Sequence, residues 1–476
     1  MSWAPTGREI VLLTTLWLFI LFIFHASPQL DSFSPLPFIY NRTATVPFDR
    51  PQSKRPVPQL YNTHHTWGSS KRVPATQVLA HVPGWTIFDR LYLVNGTFFV
   101  VTDEPNAFPT AADILSNGLP IELGEEDKRL PTRDHIQIVS TKEARVLFGP
   151  GAHFLDGVTF AINDPPQFIR HYYHWSAELW FGFWRTYSTL APSVSPSGHT
   201  PLPPPRRLLF TRLDGQHWRD YAAMNEWVIR SSMPGLTMEF AEDFRERAAM
   251  RTPVVFERVV VADRSAAMPA YNYQRFQRTA AVPAGLPGSV YWWMTIRNSV
   301  IGAAGVDPRV GSSTTDNPVI TYISRQDWGR RMLIPADHEK LVKALHKLRD
   351  DHGYEVNIVS MDKMSRAEQL RLAARTTIMM GVHGNGLTSL LWMNPNPRST
   401  VMEFFFPGGF AYDYEYTARA LGMTHYGFWG SKYFTSPDMP PPAYPEGFQG
   451  TEIPIDGEVV ARLCHERLSL VVELDD

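Results

Sequence analysis

Gly381-Val-His-Gly-Asn-Gly-Leu-Thr-Ser-Leu-Leu-Trp-Met-Asn-Pro395 decides how this chain folds. The apolar run Thr377 to Val382 reads as a buried strand, and it ends in His-Gly-Asn-Gly. A short apolar helix opened by Leu387 and Thr388 is expected next. Strand, glycine loop, helix is how an open α/β sheet offers bare backbone N–H groups to an anion. Gly384 and Gly386 remove side chains where something must approach the backbone, and His383 places an imidazole at the same mouth. A glycine loop alone is weak evidence, so its neighbours carry the argument.

Outward from the loop the pattern is βαβαβ. Val319 to Ser324 is rich in β-branched and aromatic residues and predicts a strand. Pro335 starts a helix to about Asp350, with Leu341, Leu345 and Leu348 on one face and Gly353 beyond its end. Tyr354 to Ser360 predicts a strand, and Ser365-Arg-Ala-Glu368 a capping box for a helix to about Ala374. Thr400 to Phe405 is another strand. Short loops between near-continuous apolar strands imply a mostly parallel sheet covered on both faces. This half is expected to be Rossmann-like.

From about Val78 to Val300 the pattern is also α/β but less regular. Strands are expected at Arg90 to Val101, Gly157 to Ile162, Arg207 to Phe210 and Val254 to Val261. An aromatic-rich helix runs from His171 to about Leu190. In it His171, His174 and Glu178 fall at i, i+3 and i+7 and share one face. That face reads as acceptor binding or general-base work, as a polar helix edge, or as a metal site for which no fourth ligand is placed by spacing. Two α/β halves in series suggest a cleft between domains.

At 476 residues, with 44% hydrophobic and 13% aromatic content, the chain can build two full cores. A net charge of −2 leaves no basic field for nucleic acid. The single cysteine, Cys464, permits no intrachain disulfide. Ile10 to Phe24 is an unbroken apolar and threonine run spanning roughly 22 Å as a helix, extended by flanking residues towards a bilayer core. Arg8 precedes it and no Lys or Arg follows until Arg42, which keeps the N-terminus cytoplasmic. A cleaved signal peptide is the alternative, but Phe24-His25-Ala26 makes a poor cleavage site. The sequons at Asn41 and Asn95 then fall on the lumenal side.

The expected organisation is a cytoplasmic tail (1–9), a transmembrane signal anchor (10–26) and a proline-rich stem (27–75). An N-terminal α/β domain (76–300), a C-terminal Rossmann-like domain (301–435) and a C-terminal loop with a packing helix (436–476) follow. Ala191 to Pro205 reads as an exposed proline-rich loop.

These residues resemble glycosyltransferase family 61, which groups the EGF-domain-specific O-GlcNAc transferase and the protein O-mannose β-1,4-GlcNAc transferase with plant xylosyl- and arabinosyltransferases. Gly381 to Pro395, then Val401-Met-Glu-Phe-Phe-Phe-Pro407, is similar to the family's G-x-H-G-A-G-L-T-N-x-x-F-M-x-P and x-x-E-x-x-P. Tyr322-Ile-Ser-Arg325 with Arg330-Arg331 resembles its strand-then-arginines element, and His171 to Glu178 its N-F-x-H-W-x-x-E/D helix. Gly422 also falls where the family has a glycine. Asn385 stands for the usual Ala, Ser389 for Asn and Trp392 for Phe. Asn385 would thus add a side chain near the donor phosphates.

The resemblance implies a GT-B-like fold, type II Golgi or endoplasmic reticulum topology with the catalytic part lumenal, and inversion using a UDP-sugar, with xylose or N-acetylglucosamine foremost. No cofactor is expected, and the partners are a nucleotide-sugar donor, a glycan or glycoprotein acceptor, and the membrane through residues 10–26. No Asp-x-Asp occurs in the chain, so the carboxylate clamp for a metal on the diphosphate is missing. Arg325, Arg330 and Arg331 are the expected replacement, because planar guanidiniums match phosphate geometry. His383 is expected to donate to a diphosphate or donor-sugar oxygen, with Gly384, Asn385 and Gly386 beside it. Thr388 is a phosphate contact or a cap. Glu403, at a strand end, fits a carboxylate accepting ribose hydroxyls. For the base that takes the acceptor proton, Glu178 is the first candidate, with His174, Asp214 and then His153 as rivals. A non-catalytic lumenal glycan-binding or scaffolding protein is the alternative, and a dinucleotide oxidoreductase is disfavoured because the glycine loop follows the third strand of the series.

Overall fold

Two sheets carry the chain. The first contains β1 (His64–Thr66), β2 (Gln77–Val82), β3 (Trp85–Val94), β4 (Thr97–Val101), β5 (Ile136–Val139), β6 (Gly151–Ile162), β7 (Arg207–Phe210), β8 (Thr237–Glu239) and β9 (Val254–Ala262). The second contains β10 (Val319–Ile323), β11 (Glu355–Val359), β12 (Ile378–Val382), β13 (Thr400–Phe404), β14 (Thr424–Trp429) and β15 (Lys432–Phe434). The structure is a computed structural model that describes residues 63–122, 124–311 and 317–470. The proposed anchor, Asn41 and most of the proposed stem lie outside the described residues. Among the described residues no helix is long and apolar enough to cross a membrane.

In the second sheet the order is β11-β10-β12-β13-β14-β15, and only β15 runs antiparallel. Counted along the chain this is 2-1-3-4-5 plus an edge, a doubly wound sheet whose crevice opens between its first and third strands. β10, β12 and β13 are buried at every residue, as expected of strands covered on both faces. Helix α6 (Pro335–His352) buries Leu341, Ala344, Leu345 and Leu348, and ends at Gly353 with φ of 73°. The capping box at Ser365 and Glu368 opens α7 (Arg366–Arg375). The helices α8 (Asp413–Ala420) and α9 (Gly457–Leu468) complete the cover. α9 packs on α6 through Leu341, Leu345, Val460 and Cys464, so the C-terminal segment is part of this half rather than a separate unit.

The first sheet corrects a simple Rossmann expectation. Its order is β5-β4-β3-β9-β6-β7-β8, with β2 on β3 and β1 on β6. The strands β8, β7, β6 and β9 are parallel neighbours, which is 3-2-1-4 in chain order and again doubly wound. An antiparallel extension is built on β9 through β3. Arg90 to Val101 is not one strand: Asn95 and Gly96, with φ of 53° and 84°, turn β3 back into β4, the left-handed pair that Asn-Gly favours. Asn95 is exposed at that turn. Residues 63–75 were expected in an unpacked stem, yet β1 pairs with β6 and Val73 is buried. In the expected exposed loop 191–205, Ala191 and Val194 are buried.

The aromatic helix has two parts, a wide π-helical turn at His174–Trp180 and then α2 (Phe181–Ser188), following α1 (Thr141–Phe148). Such turns are rare and gather at functional sites. Helices α3 (Met224–Ser232) and α4 (Ala241–Ala249) join the remaining parallel strands, and α5 (Met294–Ala303) links the two sheets. One apolar cluster runs across both halves, from Trp85, Phe160, Trp180 and Trp184 to Leu387, Leu391 and Trp392. The boundary expected at residue 300 falls inside α5, whose Arg297 is fully buried. Arg297 donates to the carbonyls of Trp392 (3.1 Å), Met393 (2.8 Å) and Pro308 (3.0 Å).

Candidate active site

Both crevices face a shared cleft, because residues after β10, β11 and β12 line the same cavity of about 750 Å3 as residues 170–172 and 220–224. Arg325 follows β10 by two residues, and Arg330 and Arg331 line the cavity with it. None of the three forms an ion pair with a described carboxylate. The Arg325 Nε is buried without a hydrogen-bond partner. Burial pulls the Arg325 guanidinium below its ordinary range, and the Arg331 and Arg330 charges add to this. Arg331, at φ of 53°, is held by Gln449 (Nε to Oε1, 2.6 Å). Arg330 is exposed. Uncompensated cations at the crevice of a doubly wound sheet make a site for an anion.

The glycine loop wraps Arg325. A Cβ on Gly384 would sit 2.9 Å from Arg325 Nη1, and one on Gly386 would sit 2.9 Å from Ile323 Cγ2. The close approach that these glycines permit is therefore that of the neighbouring strand and its arginine. The loop leads into the expected short apolar helix, which is a 3-10 helix over Asn385–Trp392 and buries Leu387, Leu390, Leu391 and Trp392 in the common core.

The wide turn carries His174 and Glu178, which lie behind the cavity-lining His171 and are not themselves among the cavity-lining residues. His174 Nδ1 lies 2.5 Å from Glu178 Oε2. The Glu178 carboxylate is buried and also meets Arg264 Nη1 at 3.3 Å and Arg278 Nη1 at 3.8 Å. Burial pushes its carboxyl up, but the charges of His174, Arg264 and Arg278 outweigh this and hold it far below the usual carboxylate range. The His174 side chain, 22% exposed, is the member of the pair that reaches solvent. His171 lines the cavity with its ring 5.0 Å from that of His174, and burial, with the His174 charge, pushes it down to about 4.

The sequence model of the family Glycosyltransferase 61 matches residues 172–402, a span that takes in the wide turn, the arginines and the glycine loop. Residues 172–402 belong to glycosyltransferase family 61. No curated protein matches it.

In the chain that carries this family 61 segment, the residues singled out from sequence are distributed unevenly. Arg325, Arg330, Arg331, Asn385 and Gly386 line one cavity. Glu403 does not reach it. It is fully buried, with Oε1 2.5 Å from His383 Nδ1 and Oε2 2.9 Å from His425 Nε2. Both oxygens are committed, so a ribose-binding role gives way to orientation of His383. Thr388 is also buried and donates to Asn385 Oδ1 at 3.3 Å, which sets aside a phosphate contact. Asn385 Oδ1 accepts from Tyr173 N at 3.2 Å as well, so this departure from the family pattern ties the glycine loop to the wide turn. Asp214 pairs with the exposed His217 at 2.7 Å and is not among the cavity-lining residues. His153 lies in β6 opposite His64 of β1, towards the strand's far end from the cleft.

Sequence reading missed the groups that hold Glu178. Arg264 follows β9 and is clamped by Asp164, which follows β6 (N to Oδ1 2.8 Å, Nε to Oδ2 2.7 Å). Their position at the C-terminal ends of the first and fourth parallel strands was the available signal. Arg278 pairs with Asp413 of α8 at 2.5 Å, joining the two halves, and nothing local in either segment announces this. His171, His174 and Glu178 share a neighbourhood, but among the described residues no three His, Cys, Asp or Glu side chains converge as a metal site.

Proposed function

We propose that this chain transfers a sugar, xylose or N-acetylglucosamine foremost, from a UDP-sugar to a hydroxyl of a glycan or glycoprotein, with inversion and without a bound metal. The observation that carries the reading is the group of three arginines without carboxylate partners at the crevice of the second sheet. As the acceptor oxygen bonds to the anomeric carbon, the bond to the diphosphate breaks and negative charge builds on the leaving group. Fixed guanidiniums aimed at that charge are the preorganised stabilisation such a displacement needs. The His174–Glu178 pair supports a division of labour in which His174 takes the acceptor proton and Glu178 orients the imidazole. Glu178 itself, held ionised by two arginines, is a poor base. In this reading the fold is GT-B-like, and residues 10–26 anchor the protein in the Golgi or endoplasmic reticulum membrane with the catalytic part lumenal.

The test is a screen of nucleotide-sugars against the full-length chain, reading thermal stabilisation and donor hydrolysis with EDTA present and absent. The expected result is stabilisation by UDP and slow turnover of one UDP-sugar in EDTA, both lost in Arg325→Ala. Absence of nucleotide binding under every condition would overturn the transferase reading in favour of a glycan-binding scaffold. Binding that disappears in EDTA would keep the transferase and remove the metal-free mechanism.

A further inference from the structure

Tyr221 is the most exposed large hydrophobic side chain among the described residues, at 97%, and it lines the cleft. An exposed aromatic alone carries no meaning, but the backbone that presents this one is fixed from both halves of the molecule. Asp220 accepts from Asn225 N at 2.8 Å and from Ala222 N at 3.2 Å. Ala223 is held at φ of 53°, a left-handed conformation that a residue with a Cβ adopts only when its surroundings impose it. From the second sheet, Arg366 of α7 donates to Ala223 O at 3.3 Å while its guanidinium lies over the Trp227 ring at 5.6 Å. The backbone beside Tyr221 is thus hydrogen-bonded from both halves, and the ring itself is almost fully exposed.

The rest of the cavity wall gives that ring a purpose. Ile323, Met361 and Met364 supply an apolar surface, and Arg325 and Arg330 supply positive charge. A nucleotide has matching parts: a flat aromatic base with two apolar faces, joined to an anionic diphosphate. Arg366 of α7, which holds Ala223 two residues beyond Tyr221, lines the same cavity as Tyr221 and Met364.

We propose that Tyr221 closes over the nucleobase of the donor, stacking on the face opposite the surface formed by Ile323, Met361 and Met364. The inference rests on the nucleotide-sugar reading of the cleft. It assigns to the first half of the molecule a donor contact, so that both halves must be in place for the donor to be held.

Titration calorimetry of the full-length chain with UDP and with inorganic pyrophosphate tests it, in wild type, Tyr221→Ala and Tyr221→Phe. Loss of one base-stacking contact weakens binding by about tenfold or more. The expected result is that loss for UDP in Tyr221→Ala, unchanged pyrophosphate binding, and near wild-type behaviour in Tyr221→Phe. Equal UDP affinity in wild type and Tyr221→Ala would overturn the inference while leaving the donor reading standing. So would a parallel loss of UDP and pyrophosphate, which would make the loop rather than the ring responsible. Wild type that binds neither ligand, or pyrophosphate alone, would overturn the nucleotide reading and this inference with it.

Discussion

His383 and His425 are each pushed down to about 3, chiefly because burial penalises the imidazolium. Burial also pushes the carboxyl of Glu403, which they share, well above its usual range, and the nearby Asp413 charge adds to this. The folded trio therefore holds at most one proton, on Glu403, between about pH 5 and 6.5. The same two histidines unfolded take up two protons there, since an ordinary imidazole titrates at ~6.5. The unfolded state binds more protons, so stability falls as pH drops below about 6.5, by about 1.4 kcal/mol per pH unit for one net proton. Melting temperature from pH 7 to 5 should show this slope in wild type and a flatter one in His425→Gln; parallel slopes would refute the assignment. Glu403 also marks where sequence reading stops at this scale. Its place at a strand end was legible, but its partner His425 sits on the neighbouring β14, and only sheet pairing brings the two together.

Glycines that look alike in the motif differ in what they protect. A Cβ on Gly381 of β12 would meet the backbone oxygen of Ile323 in β10 at 2.8 Å, whereas on Gly384 it would meet the far end of Arg325. Backbone cannot yield, but a guanidinium can swing away. Gly381→Ala should therefore cost about 1–3 kcal/mol of stability, as overpacking does. Gly384→Ala should leave the melting temperature within a degree or two while weakening UDP binding, since Arg325 is displaced. Chemical denaturation beside UDP titration would check both, and the reverse pattern would contradict the packing argument. Elements of the second sheet were legible because β10, β12 and β13 are apolar throughout and α6 shows a clean helical period. The wide turn at His174–Trp180 was not, because a residue inserted into a helical ladder leaves no period of its own.

Across the whole molecule the two sheets are separate ladders sharing one apolar cluster. Sequence showed two α/β halves but not their union, which depends on Trp392, Arg297 and Asn385 reaching partners far away in the chain. Such a shared core predicts that the folded region melts in a single calorimetric transition, with equal calorimetric and van't Hoff enthalpies. Two resolved transitions would mean that the sheets are independently stable. Arg278 with Asp413 belongs to the same union, since it fixes the spacing across which donor and acceptor must meet.

Trp392 donates its indole N–H to Tyr172 Oη at 2.7 Å, across 220 residues of chain. During synthesis at ~5–20 residues per second, roughly 10–40 s pass between the emergence of these two partners. Through that interval Tyr172, and Trp293 once it is made, wait for Trp392, the ring that completes this part of the common core. The nascent chain thus carries an incompletely covered aromatic face for nearly half of its elongation, and its yield in a cell depends on whatever shields that face until Trp392 has been made.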